Sequence, residues 1–341
     1  MSKQSAAPRI AMIGCGAIAE RYHLPCLGKI PGVLENVVLV DRSSERTQLM
    51  AKMFGISRQA TDVTQVLSEI DGAIVAVPPA LHHPICIELL TAGVPVLCEK
   101  PLAESPVNAR EMVGLAKARN VALCVNHSRR MLPAYAEIKR LIDSDAIGNL
   151  VEIRWEEGCE FDWPAATAFQ FRGGAHGVLL DTGIHSLDLF CWWLGCKPEV
   201  VTAQTDSFGG PEALAEIELQ SGQCRIRQQL SWLSRLSNSY RIVGERGTIS
   251  GILDYFDRIT LTSPDGRRQE RRLRAAERTY NEFGHRIVAN FIDVVAGRAE
   301  PLVSAESVLP AIEVMDECYE SATRLEMPWL TSEESVCNAS A

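Results

Sequence analysis

The chain has 341 residues, 46% hydrophobic and 23% charged, with a net charge of −9. Single cores stop growing at roughly 250–300 residues, so two domains are expected. The acidic balance excludes a polyanion-binding surface, and no apolar run reaches the ~18 residues of a membrane span, so neither nucleic acid nor membrane is an expected partner.

Residues 1–8 are polar, hold no signal core and read as a disordered N-terminus. Eleven cysteines form no CxxC pair, and several, such as Cys98, Cys124 and Cys191, sit in apolar runs. That is the pattern of reduced thiols in a cytoplasmic protein.

The first structured run is an apolar strand, Arg9 to Ile13, followed at once by Gly14-Cys15-Gly16-Ala17-Ile18-Ala19 and a helical stretch to about Lys29. This G-x-G-x-x-A between a strand and a helix is a dinucleotide-binding turn. Gly14 permits the turn, and Gly16 lets a pyrophosphate approach the backbone. Ala17 and Ile18 open a helix whose N-terminus attracts the phosphates. The second strand, Asn36 to Asp41, ends in an acid 25 residues past Gly16. Asp41 suits both hydroxyls of an adenosine ribose and repels a 2′-phosphate, which favours NAD. Arg42 beside it suits that phosphate, which leaves NADP open. A simple N-cap for the helix from Ser44 is the other reading of Asp41.

Short strands follow near Arg58–Ala60, over Ala73–Val77, Val94–Cys98 and Val121–Val125, with helices over Leu81–Thr91 and from Ser105-Pro106 onward. Such alternation predicts a parallel, doubly wound Rossmann domain over 9–127. Pro78 lies at the end of one strand. His82 and His83 follow it. Adjacent helical residues face different ways, so no metal site is expected from them, and His82 is placed on the cofactor or substrate cleft. The fifth strand runs into Glu99-Lys100-Pro101, and open α/β sheets bind ligands at this carboxyl end.

After Asn126-His127-Ser128-Arg129-Arg130 the pattern changes to a helix over Pro133–Ile142 and then strand-like runs separated by turns. Residues 128–330 are expected to form an α+β domain with an open, mostly antiparallel sheet, and 331–341 a flexible tail. Six arginines between Arg267 and Arg278 read either as a phosphate site or, preferably, as a charged strand edge. Asp181, His185 and Asp188 share one face at helical spacing. A carboxylate one turn from an imidazole can orient it as a general base. The competing reading is a buried, satisfied histidine with Asp181 as an N-cap.

These stretches together resemble the Gfo/Idh/MocA family of NAD(P)-dependent sugar and cyclitol oxidoreductases. The likeness rests on GCGAIA at 14–19, AVPPALHH at 76–83, AGVPVLCEKPLAES at 92–105, NHSRR at 126–130 and GVLLDTGIHSLDLFCWWLG at 177–195. It implies hydride transfer between a ring secondary alcohol and NAD. Lys100 would hold and polarise the hydroxyl, His185 would be the base, and Asp181 would touch substrate. It also places Glu99 and Lys100 with the cofactor and Asn126 and Arg129 with the substrate, although Glu99 reads rather as a structural residue that turns or pairs at the strand end. A cis Lys100-Pro101 bond and a homodimer or homotetramer through the antiparallel sheet are further implications. The rival functions are a non-catalytic dinucleotide sensor of the same fold and a methyltransferase.

Overall fold

The computed structural model describes residues 7–162, 176–274 and 280–326. The expected flexible tail, Trp163-Pro164, Phe171-Arg172 and Arg278 lie outside the described residues.

Six parallel strands form the first sheet: β1 (Ile10–Ile13), β2 (Val37–Val40), β3 (Arg58–Ala60), β4 (Gly72–Val75), β5 (Val96–Cys98) and β6 (Leu123–Val125). Their order, β3-β2-β1-β4-β5-β6, reverses between β1 and β4, which opens a crevice at the carboxyl ends. Strands β1, β2 and β4 are buried along their whole length, as helices on both faces require. The helices are α1 (Leu24–Gly28), α2 (Ser44–Phe54), α3 (His82–Thr91) and α4 (Pro106–Arg119). Local chemistry sets their ends. Ser105 caps α4 by accepting from the Asn108 N–H, with Pro106 in the first turn. Ser43, not Asp41, caps α2, by accepting from the Arg46 N–H. The Lys100-Pro101 bond is cis.

The second sheet has nine strands among the described residues. In chain order they are β7 (Leu150–Gly158), β8 (Glu199–Thr205), β9 (Leu214–Ser221), β10 (Cys224–Ser231), β11 (Ser239–Gly244), β12 (Gly247–Ile252), β13 (Arg258–Thr262), β14 (Arg268–Arg272) and β15 (Thr323–Arg324). Their order is β14-β13-β12-β11-β7-β10-β9-β8-β15. Two neighbouring pairs, β7 with β10 and β8 with β15, run parallel, so the sheet is mixed but mostly antiparallel. The arginine run falls on β14, an exposed edge strand, as the strand-edge reading expects.

One face of this sheet packs on α5 (Pro133–Asp143) and α6 (Ile184–Leu194). The join is aromatic: Trp155 contacts Tyr135, Phe190, Trp193 and Tyr240 with ring centroids 5.7–6.3 Å apart. Each such pair contributes about 0.5–1.5 kcal/mol beyond area burial. This layer fixes α6, and α6 carries His185 toward the crevice. The opposite face presents Arg154, Glu156, Glu216, Glu218, Arg227 and Gln229 and is covered by nothing among the described residues.

The last helices return to the first domain. From α7 (Tyr280–Val295), Val295 and Phe291 pack so close to Gly72 that a Cβ there would lie 2.6 Å from Val295. Arg110 of α4 pairs with Glu313 of α8 (Leu309–Glu320). Part of the segment expected to belong to the second domain is thus physically a layer of the first.

Candidate active site

The nucleotide end of the crevice starts at Gly14. Its φ is +92°, and a Cβ there would stand 2.3 Å from the Ala76 carbonyl oxygen, so only glycine fits. Gly16 is different, because nothing lies within 4 Å of the place its Cβ would take. That open space is where a pyrophosphate would meet backbone N–H groups, with the half-exposed Ala17 and Ile18 on the helix that follows. Asp41 stands at the end of β2, where its carboxylate accepts from the Cys15 N–H at 2.8 Å and the Ser43 N–H at 2.8 Å. Two backbone donors, one on each oxygen, orient the carboxylate and leave lone pairs for a ribose diol. Arg42 is exposed, and Pro78 is half-buried beyond the end of β4. These residues fit a dinucleotide.

Three side chains expected on cofactor or substrate are committed elsewhere. The Glu99 carboxylate is buried, lying 2.7 Å from His23 Nε2 and accepting from Asn126 Nδ2 at 2.7 Å. Burial pushes its pKa up, but His23, Asn126 and Lys100 outweigh that and hold it below the usual range. Asn126 is used up in the same network, because Tyr22 donates to its carbonyl at 3.1 Å. His82 is fully buried, with its ring nitrogens 2.7 Å from the Pro101 carbonyl and 2.9 Å from the Val77 carbonyl. It clamps the turn after β5 to the end of β4 instead of lining the cleft. Sequence spacing brings such groups near a site, and the third dimension decides whom they face. His83, by contrast, is paired with Glu111 near the surface.

Lys100 follows β5 and crosses the crevice. Its Nζ donates to Asp181 Oδ1 at 2.7 Å and to the Asp181 carbonyl at 2.7 Å. Asp181 lies in a π-helical turn, Leu179–Gly183, that leads into α6. Such turns concentrate at functional sites. This one breaks the 3.6-residue spacing between Asp181 and His185, while His185 and Asp188 stay on one regular helix. Asp181 turns to Lys100. Asp188 turns inward to Arg130, whose Nε and Nη2 donate to it at 2.8 and 2.6 Å. Neither carboxylate hydrogen-bonds His185, which corrects the expectation that one of them orients the base. Gly183 gives the turn close packing, since a Cβ would stand 2.7 Å from the Leu230 side-chain end and 2.8 Å from that of Leu179.

His185 is 9% exposed. Burial first, then the positive charges of Arg129 and Lys100 and the neighbouring His127, hold its pKa well below the ordinary histidine value. It is therefore neutral at neutral pH and able to accept a proton. Arg129 is locked in a fork with Glu157, at 2.8 and 2.5 Å, and Trp155 Nε1 donates to the same carboxylate at 3.0 Å. Reasoning from motifs missed Glu157 and also Trp232, which donates to Thr182 at 3.1 Å and meets Phe161 with ring centroids 4.6 Å apart. Nothing in linear spacing signals those partners.

Residues 8–127 match a family model described as an oxidoreductase family with an NAD-binding Rossmann fold, and residues 135–250 match the Gfo/Idh/MocA C-terminal domain. The chain is 31% identical over 196 residues to a dTDP-3,4-didehydro-2,6-dideoxy-alpha-D-glucose 3-reductase of Streptomyces violaceoruber, covering 56% of each chain. It is 28% identical over 225 residues to a scyllo-inositol 2-dehydrogenase (NAD(+)) of Bacillus subtilis, covering 63% of this chain and 64% of that one. Less than two thirds of either relative is thus aligned. A crystal structure of an oxidoreductase from Agrobacterium radiobacter, in complex with NAD+, L-tartaric acid and magnesium, superposes with a TM-score of 0.80 at 24% identity. It covers 92% of this chain and 96% of that one, and it supports the fold. With both domain models matched in order on a six-stranded Rossmann sheet and a nine-stranded partner sheet, the chain belongs to the Gfo/Idh/MocA family of oxidoreductases.

Proposed function

We propose that this protein is an NAD(P)-dependent dehydrogenase or ketoreductase acting on a ring secondary alcohol of a sugar, nucleotide sugar or cyclitol. The observation that carries the reading is the Lys100–Asp181 contact, which joins the ligand-binding end of the first sheet to the helix that holds a neutral His185. When bound, the nicotinamide supplies a hydride acceptor at C4. Lys100 donates a hydrogen bond to the substrate hydroxyl and stabilises negative charge as it develops. Asp181 holds Lys100 and accepts from a neighbouring hydroxyl of the substrate. His185 takes the hydroxyl proton. Incubation with NAD and with NADP across a panel of sugars, nucleotide sugars and cyclitols, read by nicotinamide absorbance, tests this. Cofactor binding without turnover of any of them would favour a non-catalytic sensor.

Two outcomes follow for solution behaviour. Asp41→Ser removes the carboxylate that repels a 2′-phosphate and leaves Arg42 beside it. The ratio of KM values then shifts toward NADP by about tenfold or more, as expected when a like-charge contact is relieved. Steady-state KM for both cofactors checks it. The second outcome is a pH profile. A base must be unprotonated, and the His185 pKa lies below its ordinary 6.5. Alcohol oxidation is therefore flat through neutral pH, and its acid limb falls below pH 6.5. Carbonyl reduction, which needs the protonated ring, gains in that same acid range. A limb centred at or above 7 in oxidation would exclude His185 as the base.

The uncovered face of the nine-stranded sheet suits pairing with a second copy as a homo-oligomer. Light scattering on the purified chain decides this, and a monomer at micromolar concentration would oppose it.

A further inference from the structure

Behind His185 lies a second imidazole that the reaction as drawn does not use. His127 follows β6, is 1% exposed, and stands edge-on to His185 with ring centroids 6.1 Å apart. Three buried ring nitrogens here have no hydrogen-bond partner among the described residues: Nδ1 of His185 and both nitrogens of His127. An unsatisfied buried polar atom costs about 1–3 kcal/mol, so three gathered at one place call for a role. His127 Nδ1 lies 3.5 Å from Asp188 Oδ2, a contact short of an aligned hydrogen bond.

A histidine that takes a proton at Nε2 carries its own proton at Nδ1, and that N–H needs an acceptor. Neither Asp181, turned to Lys100, nor Asp188, turned to Arg130, supplies it, since His185 Nδ1 has no partner among the described residues. The Asp188 carboxylate draws the His127 proton to Nδ1. That leaves His127 Nε2 as a lone pair on the ring that meets His185, whose Nδ1 is likewise unpartnered among the described residues. Two imidazoles bonded directly have centroids about 5 Å apart, so the 6.1 Å spacing takes one bridging water.

We propose that His127 is the positioning residue of the base. With Asp188 behind it, His127 accepts through one water from His185 Nδ1–H and so keeps His185 Nε2 unprotonated toward the substrate. This rests on the functional reading above. During oxidation the hydroxyl proton goes to His185 Nε2 as the carbinol hydride leaves for the nicotinamide. The imidazolium keeps its Nδ1–H on the same chain and later releases the Nε2 proton to solvent, so no proton crosses His127. The charged groups facing the pair are Lys100 after β5, Arg129 and Arg130 in the turn after β6, Asp188 on α6, and Glu99.

The experiment uses the full chain with its best substrate and NAD. His127→Phe keeps the ring shape and removes both nitrogens. It lowers kcat by about 10²-fold, the lower end of what a general base supplies, while substrate KM and NADH affinity stay within about threefold. His127→Gln, which restores a carbonyl acceptor, recovers about tenfold of that loss. In a His185→Ala background, His127→Phe causes no further loss, because its partner is gone. An additive loss in that background, or equal losses in the Phe and Gln variants, would show packing alone and overturn the proposal. Unchanged kcat in His127→Phe with an active parent overturns it as well. A parent enzyme inactive on every substrate would instead overturn the reading beneath it.

Discussion

Lys100→Met lowers kcat by about 10³-fold, roughly 4 kcal/mol of lost transition-state stabilisation, while NADH affinity changes by less than about threefold. Methionine keeps the length of the stem and removes only the ammonium. In the native site that ammonium makes two 2.7 Å bonds to Asp181, one to the carboxylate and one to the backbone carbonyl. The lysine side chain is mostly covered, whereas the Asp181 side chain is 44% exposed. The bridge thus contributes little to stability, and its value is positional. In the proposed reaction it aims a donor at the substrate oxygen that gains charge, and the turn at Pro101, clamped by His82, holds the lysine stem. Nothing in the dinucleotide cradle of Gly14, Gly16 and Asp41 depends on this side chain, so cofactor binding and chemistry separate. Fluorescence titration with NADH beside steady-state kinetics measures both quantities. Full activity in the variant would remove Lys100 from the reaction, and lost NADH binding would mean that it serves the cofactor instead.

Much of this architecture is legible in the sequence because it depends on local patterns. Runs such as Ile10–Ile13 and Val37–Val40 read as parallel strands because both faces are buried, and Ser105-Pro106 reads as a helix start because the cap is local chemistry. The nucleotide turn is legible for the same reason. What escapes the linear chain is long-range choice. The parallel pairing of β7 with β10 joins residues about seventy positions apart, and β15 is two residues long. At the site, the motifs single out Lys100, Asp181 and His185 as candidates, and the fold brings Lys100 and Asp181 into contact. They do not reveal the buried partners of Glu99, Asn126 and His82, which come from distant elements and turn Asn126 and His82 away from the cleft. Asp188 fails differently. Helical spacing puts it near His185, but its carboxylate turns to Arg130 in the interior. His127 passes unremarked because it stands in a polar run, Asn126 to Arg130, that gives no hint of complete burial.

Arg130→Met destabilises the protein by about 3–5 kcal/mol, the cost of leaving one half of a buried ion pair alone. Asp188 is 1% exposed and receives both arms of the Arg130 guanidinium. The same guanidinium donates to the Ser307 carbonyl and hydroxyl at 3.1 Å, and it sits 5.7 Å from the Trp192 ring. Three segments therefore meet on one side chain: the turn after β6, the helix α6, and the return segment before α8. Methionine fills the stem volume but supplies no charge, so the Asp188 carboxylate is stranded in a low-dielectric pocket beside His127. With native domains stable by only ~5–15 kcal/mol, this is a large share of the total. Replacing both partners, Arg130→Met with Asp188→Leu, removes the stranded charge and recovers most of the loss, since apolar replacement of a buried pair is often near neutral. Thermal or urea unfolding of the two variants and the parent measures this. The double variant also separates stability from chemistry. It restores the fold and leaves His127 without the carboxylate that orients it, so its melting temperature returns while its kcat stays low. Recovery of both together would show that Asp188 serves the fold alone.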